Sequence, residues 1–146
     1  MCDATWRFRD ARESDRVFLF DLYRTTMKGI VTATWGWDDD WQKADFDRRW
    51  QCYSTRVIES QSQPWGAVCL EWQPLALYLH ELQLLPQHQN HGIGTEVLRA
   101  LFAEADARSL PVSLSVVAAN PRALALYQRL GFKVFKQDSP FIVMSR

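Results

Sequence analysis

In "QNHGIGTEVLRA", residues 89–100, two glycines one residue apart stand between a β pattern and a helical one. Before them, Leu75–Leu85 is rich in Leu and Tyr and is stopped by Pro86, which predicts a long strand. After them, Ile93, Val97, Leu98, Leu101, Phe102 and Ala105 fall on one helical stripe ending near Arg108. A strand that runs through a glycine turn into a helix exposes the helix N-terminus to whatever the turn faces. Unpaired N–H groups and the positive end of the dipole make that end favour anions. The glycines permit unusual backbone angles and close approach of a ligand to the main chain. Two familiar phosphate loops do not fit. The dinucleotide pattern requires glycine at position 97, which is Val97, and no Gly-x-x-x-x-Gly-Lys-Ser/Thr run occurs. Taken alone, the glycines also fit a plain strand-to-helix turn.

The rest of the chain surrounds this unit with short alternating elements. Strands are expected at Thr5–Arg9, Arg56–Ser60, Trp65–Glu71, Val112–Val117, Phe132–Lys136 and Phe141–Met144, with Gln63-Pro64 in the turn between the second and third. Helices are expected at Glu13–Lys28, Trp41–Trp50 and Pro121–Leu130, the last opened by a first-turn proline and closed by Gly131. The order βααβββαβαββ describes a mixed α/β domain. Within the long strand, Leu77 and Leu79 share one parity and Leu82 and Leu84 the other. A β-bulge near His80-Glu81 would produce that slip; a strand buried on both faces, where alternation is not required, is the other reading.

Composition narrows the partners. A chain of 146 residues is expected to form one domain, residues 1–146, burying roughly 70% of its unfolded surface. Its formal net charge is zero, which gives no argument for nucleic acid or an anionic membrane. No apolar run approaches the roughly 20 residues of a membrane span. The first ten residues lack the apolar core of a signal peptide. Cys2, Cys52 and Cys69 are widely spaced without a Cys-x-x-Cys, and a reduced, cytoplasmic protein is expected, with Cys69 a small core residue. His80, His88 and His91 have no partner pattern for a metal, so no metal is expected.

Three motifs occur together in order. Gln89-x-x-Gly92-x-Gly94 follows a strand ending in Leu84-Leu85-Pro86, and Asn120 stands seven residues before Tyr127 in "NPRALALYQRLGF". In this combination the chain resembles the GCN5-related N-acetyltransferase (GNAT) family, closely over residues 75–135 and in element order elsewhere. The resemblance implies an α/β fold whose central, mixed, mostly antiparallel sheet of six to seven strands is flanked by about four helices and splayed between the fourth and fifth strands. It implies acetyl-CoA as co-substrate, its pyrophosphate held by Gln89, Asn90, His91, Gly92, Ile93, Gly94 and Thr95, mainly through backbone N–H groups. Many relatives carry basic residues at the positions of Asn90 and His91, which implies weaker charge compensation here. The pantetheine arm would pair with the backbone of Leu82, Gln83 and Leu84, and Asn120 would contact the arm or a water at the helix start.

Acetyl transfer to an amine requires a base for the amine and an acid for the departing thiolate. Tyr127 matches the family's general-acid tyrosine; as a residue it also fits the core stripe of Leu124 and Leu130. Glu81, beside the expected bulge, matches a base found in several relatives, with His80 behind it and Glu71 weaker. Others use a Glu on the next strand, where this chain has Ser115. "TATWGWDDDWQ", Thr32–Gln42, falls where the family lines its acceptor side; Trp35, Trp37 and Asp38 would suit a cationic amine, while tryptophans packing an edge and "DDD" capping the next helix is the competing reading. The implied reaction is transfer of acetyl to a primary amine of a small molecule or peptide by direct attack through a tetrahedral intermediate, by a monomer or homodimer. A catalytically silent acyl-CoA-binding module acting through a partner is the alternative. An aminoacyl-tRNA-dependent transferase is poorly served by zero net charge, and a longer acyl donor is not distinguished.

Overall fold

The structure, a computed structural model, describes residues 5–146. Among them the regular elements are β1 (Arg7–Asp10), α1 (Arg16–Trp35), α2 (Asp39–Cys52), β2 (Ser54–Ser60), β3 (Gln63–Gln73), β4 (Ala76–Leu84), α3 (Ile93–Ala107), β5 (Val112–Val117), α4 (Pro121–Arg129), β6 (Lys133–Asp138) and β7 (Phe141–Ser145). Cys2 lies outside the described residues. The element order is the expected one, with single 3-10 turns added at Glu13–Asp15 and Pro86–His88.

Seven strands form one sheet in the order β1-β2-β3-β4-β5-β7-β6. Neighbours run antiparallel except β4 and β5, which α3 joins as a parallel pair. That pair is short: only Leu77, Tyr78 and Leu79 meet Val112, Ser113 and Leu114. Beyond Leu79 the strands part. On its other side β4 stays paired with β3 through Leu84, but with a register shift: Leu79 opposes Leu70 and Glu81 opposes Cys69. His80 is therefore the extra residue of a β-bulge, where the slip in alternation placed it. A bulge adds local bend and twist, and it stands where β4 leaves β5. The splayed edge from Glu81 to Leu84 keeps backbone donors and acceptors that no described strand uses.

The sheet is covered on both faces. Val97, Leu98, Leu101, Phe102 and Ala105 of α3 pack with Tyr127 against Val68, Leu70, Leu77, Leu79, Leu114 and Met144. On the other face, Leu19 and Leu22 of α1 and Phe46 and Trp50 of α2 cover Val57 and Ala67. Alternation along β2 and β3 sends neighbouring residues to opposite cores. Cys69 is buried, and burial pushes its thiol up to about 12, as suits a core residue rather than a reactive one.

Most boundaries shift by one or two residues from the sequence reading, and two differ in kind. α1 does not stop near Lys28 but runs on to Trp35, with Val31 buried on its inner side. Gly29, Ile30, Val31, Thr32 and Thr34 are weak helix formers, and packing of Val31 and the preceding turns overrides their propensity. The β2–β3 turn is Gln61–Ser62, both at positive φ (51° and 65°), not Gln63-Pro64. Pro64 instead sits in β3 opposite Glu59, beside a register shift, where a missing N–H is tolerated.

Candidate active site

The glycine loop is an anion cradle in geometry as well as in sequence. Asn90 and Gly92 both adopt left-handed backbone angles, at φ 64° and 80°. Gly92 is the N-cap of α3, and the first intrahelical bond runs from Glu96 N to Gly92 O. The amides of Ile93, Gly94 and Thr95 therefore precede the helix's own acceptors and remain free for a ligand. Gln89 donates from Nε2 to the Leu84 carbonyl at 2.9 Å, tying the loop to the end of β4. Its amide is thus a brace for the cradle. The His91 side chain is exposed and Ile93 is buried in the core, and neither residue lines the cavity described next.

Two cavities converge here. One, about 530 Å³, is lined by Leu82, Gln83 and Leu84 of β4, by Gln89, Asn90, Gly92, Gly94 and Thr95, and by Asn120, Ala123 and Tyr127 of α4. The other, about 850 Å³, lies against α1, α2, the bulge and β5. Leu82, Asn120, Ala123 and Tyr127 belong to the walls of both. The two cavities are therefore adjacent at the splay. Asn120 caps α4, its Oδ1 accepting from Ala123 N at 3.2 Å, and its amide nitrogen is left for the cavity. Tyr127 is 8% exposed, its ring edge-on to Phe132. Burial, and secondly the charge of Glu81, raise its pKa, so the phenol keeps its proton at neutral pH.

The bulge gathers titratable groups in the second cavity. Glu81 Oε1 accepts from Arg49 Nη1 at 2.8 Å, and Oε2 accepts from Gln83 Nε2 at 2.6 Å. Burial raises the Glu81 pKa, with the Arg49 charge and hydrogen bond working against it. Arg49 in turn bonds Asp45 at 3.1 Å and lies over the Tyr23 ring. Beside them His80 Nε2 meets Glu71 Oε1 at 2.9 Å, its ring stacked on Tyr53 at 3.8 Å and tilted to Tyr78 at 4.7 Å. The Tyr78 hydroxyl shares a 2.6 Å hydrogen bond with Ser115. Ser115 is thereby engaged on the strand where a carboxylate would offer a second base.

The Trp-rich segment divides between the two readings given it. Trp35 and Asp38 line the second cavity, joined by Trp41 and Phe141. Asp38 is also the N-cap of α2, accepting from Trp41 N at 3.0 Å. Trp37 does not line it. With α1 ending at Trp35 and α2 starting at Asp39, the short link turns Trp37 onto Tyr23, and its Nε1 donates to Asp39 at 2.6 Å.

Comparison with known proteins decides the family. The model of the acetyltransferase (GNAT) family matches residues 16–132, which includes the splay, the glycine loop and all of α4. The chain belongs to the GNAT acetyltransferase family. No curated protein sequence matches it. Among solved structures it is similar to an acetyltransferase from Thermus thermophilus (TM-score 0.80, 20% identity, covering 100% of this chain and 99% of that one). It is also similar to the PaiA N-acetyltransferase of Thermoplasma acidophilum, solved in complex with coenzyme A (0.77, 18%, 97% and 98%). A third is the ribosomal-protein-S18-alanine N-acetyltransferase of Escherichia coli (0.71, 17%, 97% and 92%). At these identities the likeness is one of fold.

The candidate site contains three cations that sequence reasoning passes over. Arg122 and Arg129 line the first cavity, and Arg122 donates to the Asn90 side chain at the cradle. Their spacing of seven places them on one face of α4, in the run that carries Asn120 and Tyr127. They supply positive charge that Asn90 and His91 do not. Arg49 sits four residues from Asp45 on α2, a pairing that in sequence reads as an ordinary exposed ion pair. Among the described residues no group of three or more His, Cys, Asp or Glu side chains is arranged to hold a metal, and no helix is long and apolar enough to cross a membrane.

Proposed function

We propose that this acetyltransferase binds acetyl-CoA along the first cavity and moves its acetyl group to a primary amine, of a small molecule or of a peptide N-terminus, entering through the second. The observation that carries this reading is the shared wall of the two cavities at Leu82, Asn120, Ala123 and Tyr127, beside the splay. The cradle amides, the α3 dipole, Arg122 and Arg129 suit a pyrophosphate. The unpaired edge of β4 suits the pantetheine amides, and its donors near the bulge suit the oxyanion of a tetrahedral intermediate. That one fold relative is an alanine N-acetyltransferase keeps a peptide N-terminus in view as acceptor.

The reaction needs a general acid and a path for the amine proton. Tyr127 is the acid: its phenol is kept protonated, and it belongs to the wall that both cavities share. Glu81 supplies negative charge that draws an ammonium toward the bulge. Trp35, Trp41 and Phe141 at the mouth offer aromatic faces to a cation, and Asp38 adds a carboxylate.

The test is release of the coenzyme thiol from acetyl-CoA with a panel of primary amines: alkyl diamines, arylethylamines and short peptides. Wild-type protein turns over at least one. Tyr127→Phe lowers turnover by about 10²-fold or more and leaves acetyl-CoA affinity and melting temperature near wild type. A wild-type rate in that variant would reduce Tyr127 to a packing residue. Binding of acetyl-CoA without turnover of any amine would favour the silent module.

A further inference from the structure

Resting on that reading, we infer that His80 is the residue that takes the proton from the acceptor amine, with Glu71 as its positioning residue. The bulge turns His80 into the acceptor cavity next to the splay, where the thioester would lie. There its ring is fixed three ways: Nε2 against Glu71 Oε1 at 2.9 Å, Tyr53 stacked at 3.8 Å, and Tyr78 at 4.7 Å. Tyr78 is itself held by Ser115 from β5.

The tautomer follows from the partner. Glu71 is held in its ionised form, its pKa lowered first by the hydrogen bond from His80 and then by one from Gln73. An ionised carboxylate only accepts, so Nε2 must be the ring's donor. The neutral imidazole then has its lone pair on Nδ1, and a carboxylate on the far nitrogen stabilises the imidazolium that forms when Nδ1 takes a proton. This is the arrangement a base needs: fixed orientation, one free lone pair, and a counter-charge behind it. Glu81 lacks it. Both of its oxygens are engaged, one by a guanidinium, and proton uptake would cost the ion pair with Arg49.

The atoms balance as follows. The acceptor ammonium gives one proton to His80 Nδ1, which passes it to solvent. The freed nitrogen attacks the thioester carbon, a C–N bond forms and the C–S bond breaks. Sulfur leaves with its electron pair and takes the phenolic proton of Tyr127. The nitrogen's surplus proton goes to water, and solvent restores Tyr127.

The charged and titratable groups facing His80 are Glu71 from β3, Tyr53 at the end of α2, Tyr78 and Glu81 on β4, and the Asp45–Arg49 pair across the cavity. The experiment therefore compares wild type with His80→Gln, Glu71→Gln and Glu81→Gln. It follows kcat/KM against pH with acetyl-CoA and the most active amine of the panel, and the melting shift caused by acetyl-CoA in each. His80→Gln is expected to lose about 10²- to 10⁴-fold in turnover, to lose the acid limb of the profile, and to keep the melting shift. Glu71→Gln lowers kcat with KM and the acetyl-CoA melting shift near wild type, and lets the Nδ1–H form of His80 appear beside the Nε2–H form; a merely structural Glu71 would leave the His80 tautomer unchanged. Glu81→Gln keeps the limb in place. Should His80→Gln keep the limb and Glu81→Gln lose it, the inference is wrong and Glu81 is the base. Without any melting shift by acetyl-CoA in wild type, the transferase reading itself falls, and the inference with it. Imidazole nitrogen spectra of the unliganded protein check the dyad without turnover: the Nε2–H form of His80 is expected in wild type, and a Nδ1–H form would contradict it.

Discussion

Single residues at this site have separable duties. Gly92 holds a left-handed angle with open space around its α-carbon, so what it excludes is strain and charge rather than bulk. Aspartate visits that region more readily than most residues, and Gly92→Asp should therefore fold. Its carboxylate would face the phosphates of the coenzyme, and acetyl-CoA binding should be lost by calorimetry while the apo melting temperature falls only slightly. Unchanged affinity would remove the cradle from the site. Legibility at this scale is uneven. Gly92, Gly94, Asn120 and Tyr127 are readable because each sits in a spaced motif. Arg49, Arg122 and Arg129 are not, because an arginine on a helix looks alike in sequence whether it faces water or a cavity. Sequence groups Trp37 with Trp35 as an acceptor contact; only the helix boundary separates them.

At the scale of elements, the splay depends on close packing of β3 beneath β4. A β-carbon added at Gly66 would come within 2.1 Å of the Gln83 carbonyl oxygen. Gly66→Ala must therefore push β4 outward where the pantetheine arm is expected to pair. It should cost about 1 to 3 kcal/mol, seen as a fall of several degrees in melting temperature, with weaker acetyl-CoA binding; wild-type stability would mean that β4 is free to shift. Here the sequence is most informative. Periodicity finds each strand and helix in order, and the parity slip along Leu77–Leu84 locates the bulge. It fails where local preference and tertiary packing disagree. The last turns of α1 are built from weak helix formers, and the β2–β3 turn uses Gln61 and Ser62 at positive φ, where Asn-Gly would have announced it.

Over the whole molecule, the ionisable groups make stability depend on pH in a calculable direction. Glu13, Asp15, Asp39, Asp47, Glu59 and Glu71 have pKa values lowered by hydrogen bonds, chiefly from arginine, lysine, histidine or tryptophan. A depressed carboxylate contributes stability that is present above its unfolded value, about 3.9 for Asp and 4.3 for Glu, and lost as pH falls through its folded value. Glu81 has the opposite sign: raised by burial, its contribution is present below its unfolded value and lost as pH rises through its folded one. Below about pH 4 the Glu81 contribution is already complete, so the depressed carboxylates decide the sign, and the melting temperature is predicted to fall, chiefly through the partly buried Asp15 and Glu59. The Arg9–Asp15 and Arg9–Glu59 pairs lie among the partly buried contacts that hold β1 to the 3-10 turn and to β2. A melting temperature flat or rising through that range would show that these pairs do not contribute.

The glycine cradle and the splayed sheet are proposed to hold acetyl-CoA. A thermal melt of the wild-type chain with and without acetyl-CoA, with NADH and ATP as controls, tests it most directly. Ligand at 100 times its dissociation constant adds about 2.7 kcal/mol, or about 5 to 10 °C for a domain of this size. A shift of that order with acetyl-CoA, and little or none with the controls, is the predicted result. No shift at millimolar acetyl-CoA would mean that the coenzyme is not held there and would leave Gly92 and Gly94 as a turn between a strand and a helix.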